Sequence, residues 1–180
     1  FTIREEQTHE IIEDVTNLKS ELGVIYLSSK NTEVLSKMLK RNELEFTELF
    51  TATPHVFICD SHPLAKKKSI TMEDLQDYPY LTYEQGEYNS QYFSEEFVST
   101  LDSRKNIRVR DRATLFNLII GLNGYTVCSG VISAELNGRN IISKPLDVEE
   151  YMRIGIITRK GVVLSRYARE YIEALKAHCM

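Results

Sequence analysis

Residues 106–130, NIRVRDRATLFNLIIGLNGYTVCSG, constrain the fold more than any other stretch, because they read as strand, helix, turn and strand without interruption. Ile107 and Val109 alternate as in a half-buried strand. Asp111 stands where an N-cap stands, with its carboxylate placed to accept from the orphan amides of a new helical turn. Leu115, Leu118, Ile119 and Leu122 recur at helical spacing, and Phe116 and Ile120 widen the apolar face. Gly121, Asn123 and Gly124 are expected to stop this helix, since glycine tolerates the left-handed backbone of a C-cap. Tyr125 to Cys128 predicts a second short strand, closed by Ser129-Gly130. Two strand ends and a helix start therefore meet in one unit, the arrangement by which open α/β sheets bind ligands at strand termini.

The flanking sequence extends the α/β pattern. Phe1 to Arg4 reads as a strand, followed by a helix with Ile11, Ile12, Val15 and Leu18 as its apolar stripe and Gln7 or Thr8 at its first turn. Leu22 to Leu27 is almost wholly apolar, which favours a strand covered on both faces and hence a parallel sheet. Asn31 or Thr32 caps a helix through Leu39, with Val34, Leu35, Met38 and Leu39 inward. Leu44 to Phe50 alternates, and His55 to Cys59 is a further strand. Thr71 with Asp74 makes a capping box, and Tyr80 to Tyr83 restarts extended chain after Pro79. A helix is expected from Asn89 or Ser90 through Phe97. A short helix over Val131 to Leu136, strands at Asn140 to Ser143 and Met152 to Ile157, and a last helix from Ser165 to Lys176 complete the reading. Crossovers near 80–83 and 144–150 divide the chain into lobe one (1–80), lobe two (81–145) and a return to lobe one (146–180). Ligand sites often lie between such lobes.

Composition narrows the function classes. The chain has 180 residues and a formal charge of −4, which argues against these residues gripping a phosphate backbone themselves. No apolar run approaches the roughly 18 residues of a membrane helix. Cys59, Cys128 and Cys179 have no framework spacing and read as free thiols in a reducing cytoplasm. The histidines at 9, 55, 62 and 178 lack the spacing of a metal pair. His62 before Pro63 reads as a turn residue. Gly121-Leu122-Asn123-Gly124 is too short for a dinucleotide loop, and Cys128 has no base beside it in sequence. No catalytic set, metal site or cofactor is expected. The informative set is polar: Thr82, Tyr83 and Gln85 after the first crossover, Arg110, Asp111 and Arg112 at the start of the central helix, and Cys128, Ser129 and Gly130 at the next strand end. Hydroxyls, amides and a helix N-terminus converging in a cleft suit a small anion, with Arg110 or Arg112 adding charge. The alternative is that these are ordinary caps and a surface Arg-Asp pair.

Several stretches together resemble the effector-binding domain of LysR-type transcriptional regulators. They are Glu5 to Thr8 before a helix, Glu21-Leu22-Gly23-Val24-Ile25, His62-Pro63-Leu64-Ala65, and Thr71 to Leu75 followed by Tyr78 to Thr82. Leu118 to Thr126, Pro145-Leu146 and the final helix also fit, so the resemblance covers essentially the whole chain. It implies two Rossmann-like lobes similar to periplasmic type 2 binding proteins, here without the first strand and helix of lobe one. It implies a small-molecule effector held between the lobes, no enzymatic step and a cytoplasmic location. It also implies homodimers assembled into a tetramer, and DNA contact only through a helix-turn-helix domain outside these residues.

Carried over by position, Thr8 matches a polar pocket residue of lobe one, and Thr82, with Tyr83 beside it, the hydroxyl residue past the first crossover. Asn106, Ile107, Arg110 and Asp111 match the wall of lobe two, and Ser129 the strand end next to it. Gly23 stands where the family usually carries Asp, and Cys128-Ser129-Gly130 where many members carry Leu-Pro. The rival from another class is a free-standing solute-binding protein of a transport system.

Overall fold

The computed structural model describes residues 1–84 and 105–179. In chain order the elements begin α1 (Thr8–Thr16), β1 (Leu22–Ser28), α2 (Thr32–Arg41), β2 (Leu44–Ala52), β3 (His55–Cys59), α3 (Met72–Leu75), β4 (Tyr80–Tyr83) and β5 (Asn106–Val109). They continue α4 (Arg112–Leu122), β6 (Thr126–Cys128), α5 (Ala134–Asn137), β7 (Ile141–Pro145), β8 (Met152–Arg159) and α6 (Arg166–Cys179). The predicted helix from Asn89 or Ser90 to Phe97, and the candidate Gln85, lie outside the described residues. The result is an α/β fold in two compact units. One comprises Phe1–Thr51 with residues 152–179, and the other residues 52–84 with 105–151.

In the first unit three strands pair in the order β1-β8-β2. β1 runs antiparallel to β8, from Leu22 opposite Thr158 to Ser28 opposite Met152. Ile12 and Val15 of α1, Leu35 and Leu39 of α2, and Ile25, Leu27, Leu44 and Ile157 of the sheet form its core. α1 starts cleanly because the Glu10 carboxylate accepts the Gln7 amide at 3.0 Å, a reciprocal use of the first-turn amides. α6 starts against β1: the Ser165 amide and hydroxyl both donate to the Glu21 carboxylate, at 2.7 and 2.8 Å. Those two bonds hold the Glu21 carboxyl below its ordinary pKa. Gly23 sits tight under α1. A Cβ there would lie 2.4 Å from Ile11 and 3.2 Å from Ile157.

The second unit has a three-stranded antiparallel sheet, β6-β3-β7, and a parallel pair, β4-β5. A parallel bridge between Tyr80 and Tyr125 carries the ladder from β4 to β6. Two clusters cover the sheet. Val56, Ile58, Ile70, Leu75, Tyr80 and Tyr125 lie in one, and Phe57, Leu81, Val109, Leu115 and Ile119 in the other, under α4.

Three expectations are corrected. Residues 1–4 form no strand; Phe1 and Ile3 are exposed, and Phe1 instead meets Tyr171 edge-on at 5.9 Å. The apolar run of β1 pairs antiparallel rather than parallel, as an edge strand whose Val24 stays 39% exposed. The first division falls at residues 51–52 rather than near 80, because β3 pairs with β6 and β7 and so belongs with the later strands. The second falls at 151–152, just past the predicted crossover.

Candidate functional site

The site is built from the carboxyl ends of β4, β5 and β6. β4 and β5 are parallel, with Tyr80 opposite Asn106, Leu81 opposite Ile107, Thr82 opposite Arg108 and Tyr83 opposite Val109. β6 runs the same way beside β4. All three strands therefore finish at one edge of the sheet, where the helix after β5 begins. Open α/β sheets bind ligands at such edges.

Paired residues of a parallel ladder point to the same side, and successive residues to opposite sides. One side of β4–β5 is apolar: Leu81 and Val109 are core residues, with Tyr83 and Ile107 packed against them. The other side is polar towards its end and carries Thr82, Asn106, Arg108 and, one step past the strands, Glu84 and Arg110. The Glu84 amide still donates to the Val109 carbonyl at 2.8 Å, so the ladder persists to that step. Thr82, only 5% exposed, donates its hydroxyl to Asn106 Oδ1 at 3.2 Å. Arg110 grips the Glu84 carboxylate in a fork, Nε to Oε2 at 2.6 Å and Nη2 to Oε1 at 3.4 Å. Arg110, and more weakly Arg108, hold the Glu84 carboxyl below its usual pKa.

Asp111 opens α4 as the sequence predicts. Its carboxylate accepts from the Thr114 amide and hydroxyl, each at 2.8 Å, which keeps it ionised and lowers its pKa. Arg112 lies over the Phe116 ring, 5.7 Å from its centroid. The far end of α4 is closed differently. Asn123, not a glycine, takes the left-handed cap conformation at φ 49°. Its carbonyl accepts from His62 Nε2 at 3.1 Å, while His62 Nδ1 accepts the Leu64 amide at 3.1 Å. That pattern places the imidazole proton on Nε2. Gly124 is required by contact: a Cβ there would lie 2.3 Å from Leu81 and 3.0 Å from the Pro79 carbonyl.

At the end of β6, Ser129 accepts weakly from the Val131 amide at 3.5 Å. Gly130 at φ 82° lies against the His55 ring, which a Cβ would meet at 2.6 Å. The Cys128 thiol donates to the His55 carbonyl at 3.7 Å, and burial pushes its pKa up to about 12. Such a thiol is a poor nucleophile. Among the described residues no group of three His, Cys, Asp or Glu side chains could hold a metal, and no helix is long and apolar enough to cross a membrane.

The structure thus brings Thr82, Asn106 and Arg110 onto one side of one strand pair. Tyr83 and Ile107 face the opposite, apolar side, Asp111 is committed to its helix, and Ser129 ends the neighbouring strand. Thr8 is in the other unit, buried at the first residue of α1. Two residues escaped the sequence reading, Glu84 and Arg108. The alternation Thr82-x-Glu84 against Asn106-x-Arg108-x-Arg110 carries both. The first unit holds a groove of about 830 Å³ lined by Arg4, Asp14, Lys19, Glu21 and Tyr171 among others. Within it Asp14 meets Lys19 at 3.3 Å and Arg4 at 3.7 Å, and Glu21 accepts from Ser165.

Comparison with known proteins places the fold. The family described as LysR substrate binding domain matches residues 1–180. A malolactic fermentation system transcriptional activator from Lactococcus lactis is 24% identical over 185 residues, 91% of this chain and 62% of that protein. The chain therefore spans about three fifths of that relative's length. The effector binding domain of QuiR in complex with shikimate superposes with a TM-score of 0.64 at 20% identity, over 98% of this chain and 79% of that one. HinK, a LysR family transcriptional regulator from Pseudomonas aeruginosa, superposes with a TM-score of 0.63 at 17% identity, over 97% of this chain and 58% of that one.

Proposed function

Because the chain belongs to the LysR substrate binding domain family, we propose that it is the ligand-sensing part of a cytoplasmic DNA-binding transcriptional regulator. In this reading it binds a small anionic metabolite and catalyses nothing. DNA contact belongs to a helix-turn-helix domain outside these residues. The signal passes through rearrangement of a dimer or tetramer, and the effector drives it only by its difference in affinity for the two states.

The observation that carries the reading is the polar side of β4–β5. The buried Thr82 hydroxyl bonded to the Asn106 amide, and beyond them two guanidiniums against one carboxylate, run along one side of the ladder to the edge where three strands end. Neutral hydrogen-bonding groups fix a ligand's orientation there, and the excess of guanidinium favours carboxylate or phosphate. The similar effector binding domain of QuiR is in complex with shikimate, a hydroxylated carboxylate. Ser129, at the end of the neighbouring β6, is assigned as a secondary contact.

The test is a thermal-shift screen of the full-length protein against metabolite carboxylates, amino acids and sugar phosphates, with isothermal titration of each hit. A ligand bound by the folded state alone raises its stability, by about 2.7 kcal/mol at a hundredfold excess over Kd. One selective anion whose affinity falls on Thr82→Ala and Arg110→Gln would support the reading. Neutral ligands alone would remove the anionic assignment. Unchanged affinity in Thr82→Ala would remove Thr82 from the site.

A further inference from the structure

We propose that Glu84 is a built-in competitor for the ligand of this site: its carboxylate occupies the Arg110 fork that an anionic effector would take. The inference rests on the reading of the β4–β5 edge as an effector site and names the residue that sets its affinity for anions.

The geometry is that of a ligand complex made within the chain. A guanidinium offers two parallel donors, and a carboxylate matches them. Glu84 supplies that carboxylate from the end of β4, and Arg110 meets it from the end of β5 with both a short and a longer bond. The partners are not interchangeable in exposure. The Arg110 side chain is 83% exposed and the Glu84 side chain 38%. The pair therefore sits at the sheet edge with the guanidinium turned to solvent, where an ion pair is weak and easily exchanged. Arg108 lies on the same side of the ladder, opposite Thr82 in register and between Asn106 and Arg110 along the chain. An incoming carboxylate or phosphate thus meets two guanidiniums, one of them already holding a carboxylate.

Among the described residues, three further groups at this edge are committed elsewhere. Asp111 is held by Thr114, Arg112 lies over Phe116, and Thr82 donates to Asn106. Among the described residues at the strand ends, Glu84–Arg110 is an ion pair that ligand exchange would break without opening a helix cap or the core. Removing the Glu84 charge should therefore strengthen anion binding rather than weaken it. A residue that merely positioned Arg110 would give the opposite sign.

The experiment is isothermal titration of the full-length protein with succinate, in the unaltered protein and in Glu84→Gln, Glu84→Asp, Arg110→Gln and the double variant Glu84→Gln/Arg110→Gln. The substitutions are confined to Arg110, which is exposed, and Glu84, which is half-buried, and an unchanged Tm verifies folding. The expected result is a Kd about twofold to fivefold tighter in Glu84→Gln, the scale of one surface ion pair. Glu84→Asp should stay near the unaltered protein, and both variants lacking Arg110 should lose binding. Binding that needs Arg110 but is unchanged or weaker in Glu84→Gln overturns the competitor and leaves the effector site standing. Binding indifferent to Arg110, or no succinate bound by Glu84→Gln at millimolar concentration, overturns the competitor and the anionic site together.

Discussion

The two ends of α4 are closed by opposite means. At its first residue the helix is capped by a charged, exposed Asp111, beside an ion pair that solvent reaches. At its last, the Asn123 carbonyl is bound by a His62 that is 2% exposed, and Gly124 fits against Leu81 with no room for a methyl group. One end is held by groups that water can replace, the other by groups it cannot reach. The difference separates a fixed end, which sets where the helix lies, from an adjustable end, where ligand exchange costs little. It explains why the polar ladder gathers at the amino end of α4 and the tight contacts at its carboxyl end.

The contrast can be broken most severely at His62. His62→Ala removes a buried ring and leaves the Asn123 carbonyl and the Leu64 amide without their partners, for a loss of about 2–4 kcal/mol. Urea unfolding measures it, and a loss under 1 kcal/mol would show that the fixed end is held by something else. Gly124→Ala comes next. Its methyl group must displace Leu81, a core residue with no exposure, at about 1–3 kcal/mol. A variant as stable as the unaltered protein would mean that the close approach relaxes freely.

Acid sharpens the comparison without a substitution. Burial depresses the His62 pKa below its ordinary 6.5, so the neutral ring is the folded form and the unfolded chain takes up the proton first. The His62 contribution is therefore complete above 6.5 and is lost as the pH falls through the lower folded-state value. Tm should drop between pH 7.5 and 5, and His62→Gln should flatten that part of the profile. An unchanged slope in His62→Gln would assign the acid sensitivity to another group. The smallest effect is expected at the adjustable end. Asp111→Ala removes an exposed cap, and its Tm should fall less than that of either substitution at the far end. A larger fall would reverse the assignment of the two ends.

Much of the fold was legible in the sequence, and α4 shows why. An acidic cap, apolar residues at helical spacing and a stop at Asn123-Gly124 are local signals, and each acts through neighbouring residues. What misled was a property of pairing. The run Leu22 to Leu27 looks the same whether its partner runs parallel or antiparallel, and the partner, β8, lies about 130 residues further along. Phe1 to Arg4 has a strand's alternation but pairs with no strand among the described residues. The candidate site was legible in its elements and only partly in its members. Thr82, Asn106 and Arg110 share a side of the ladder, whereas Tyr83 and Ile107 have the opposite parity. Glu84 was passed over because one charge just beyond a strand looks like solvent-facing surface until the register of the facing strand is known.

The antiparallel register of β3 has a practical consequence for handling the protein. Cys128 stands opposite His55 at the start of β3, and Cys59 is at its end. Four residues of extended chain separate those positions by about 13 Å, and a disulfide closes only when the Cα atoms lie within about 7 Å. Air oxidation therefore cannot staple these two thiols inside one folded molecule. Any oxidised band that depends on both, seen on a gel run without reductant, reports molecules joined to one another or chains that have lost the β3 pairing.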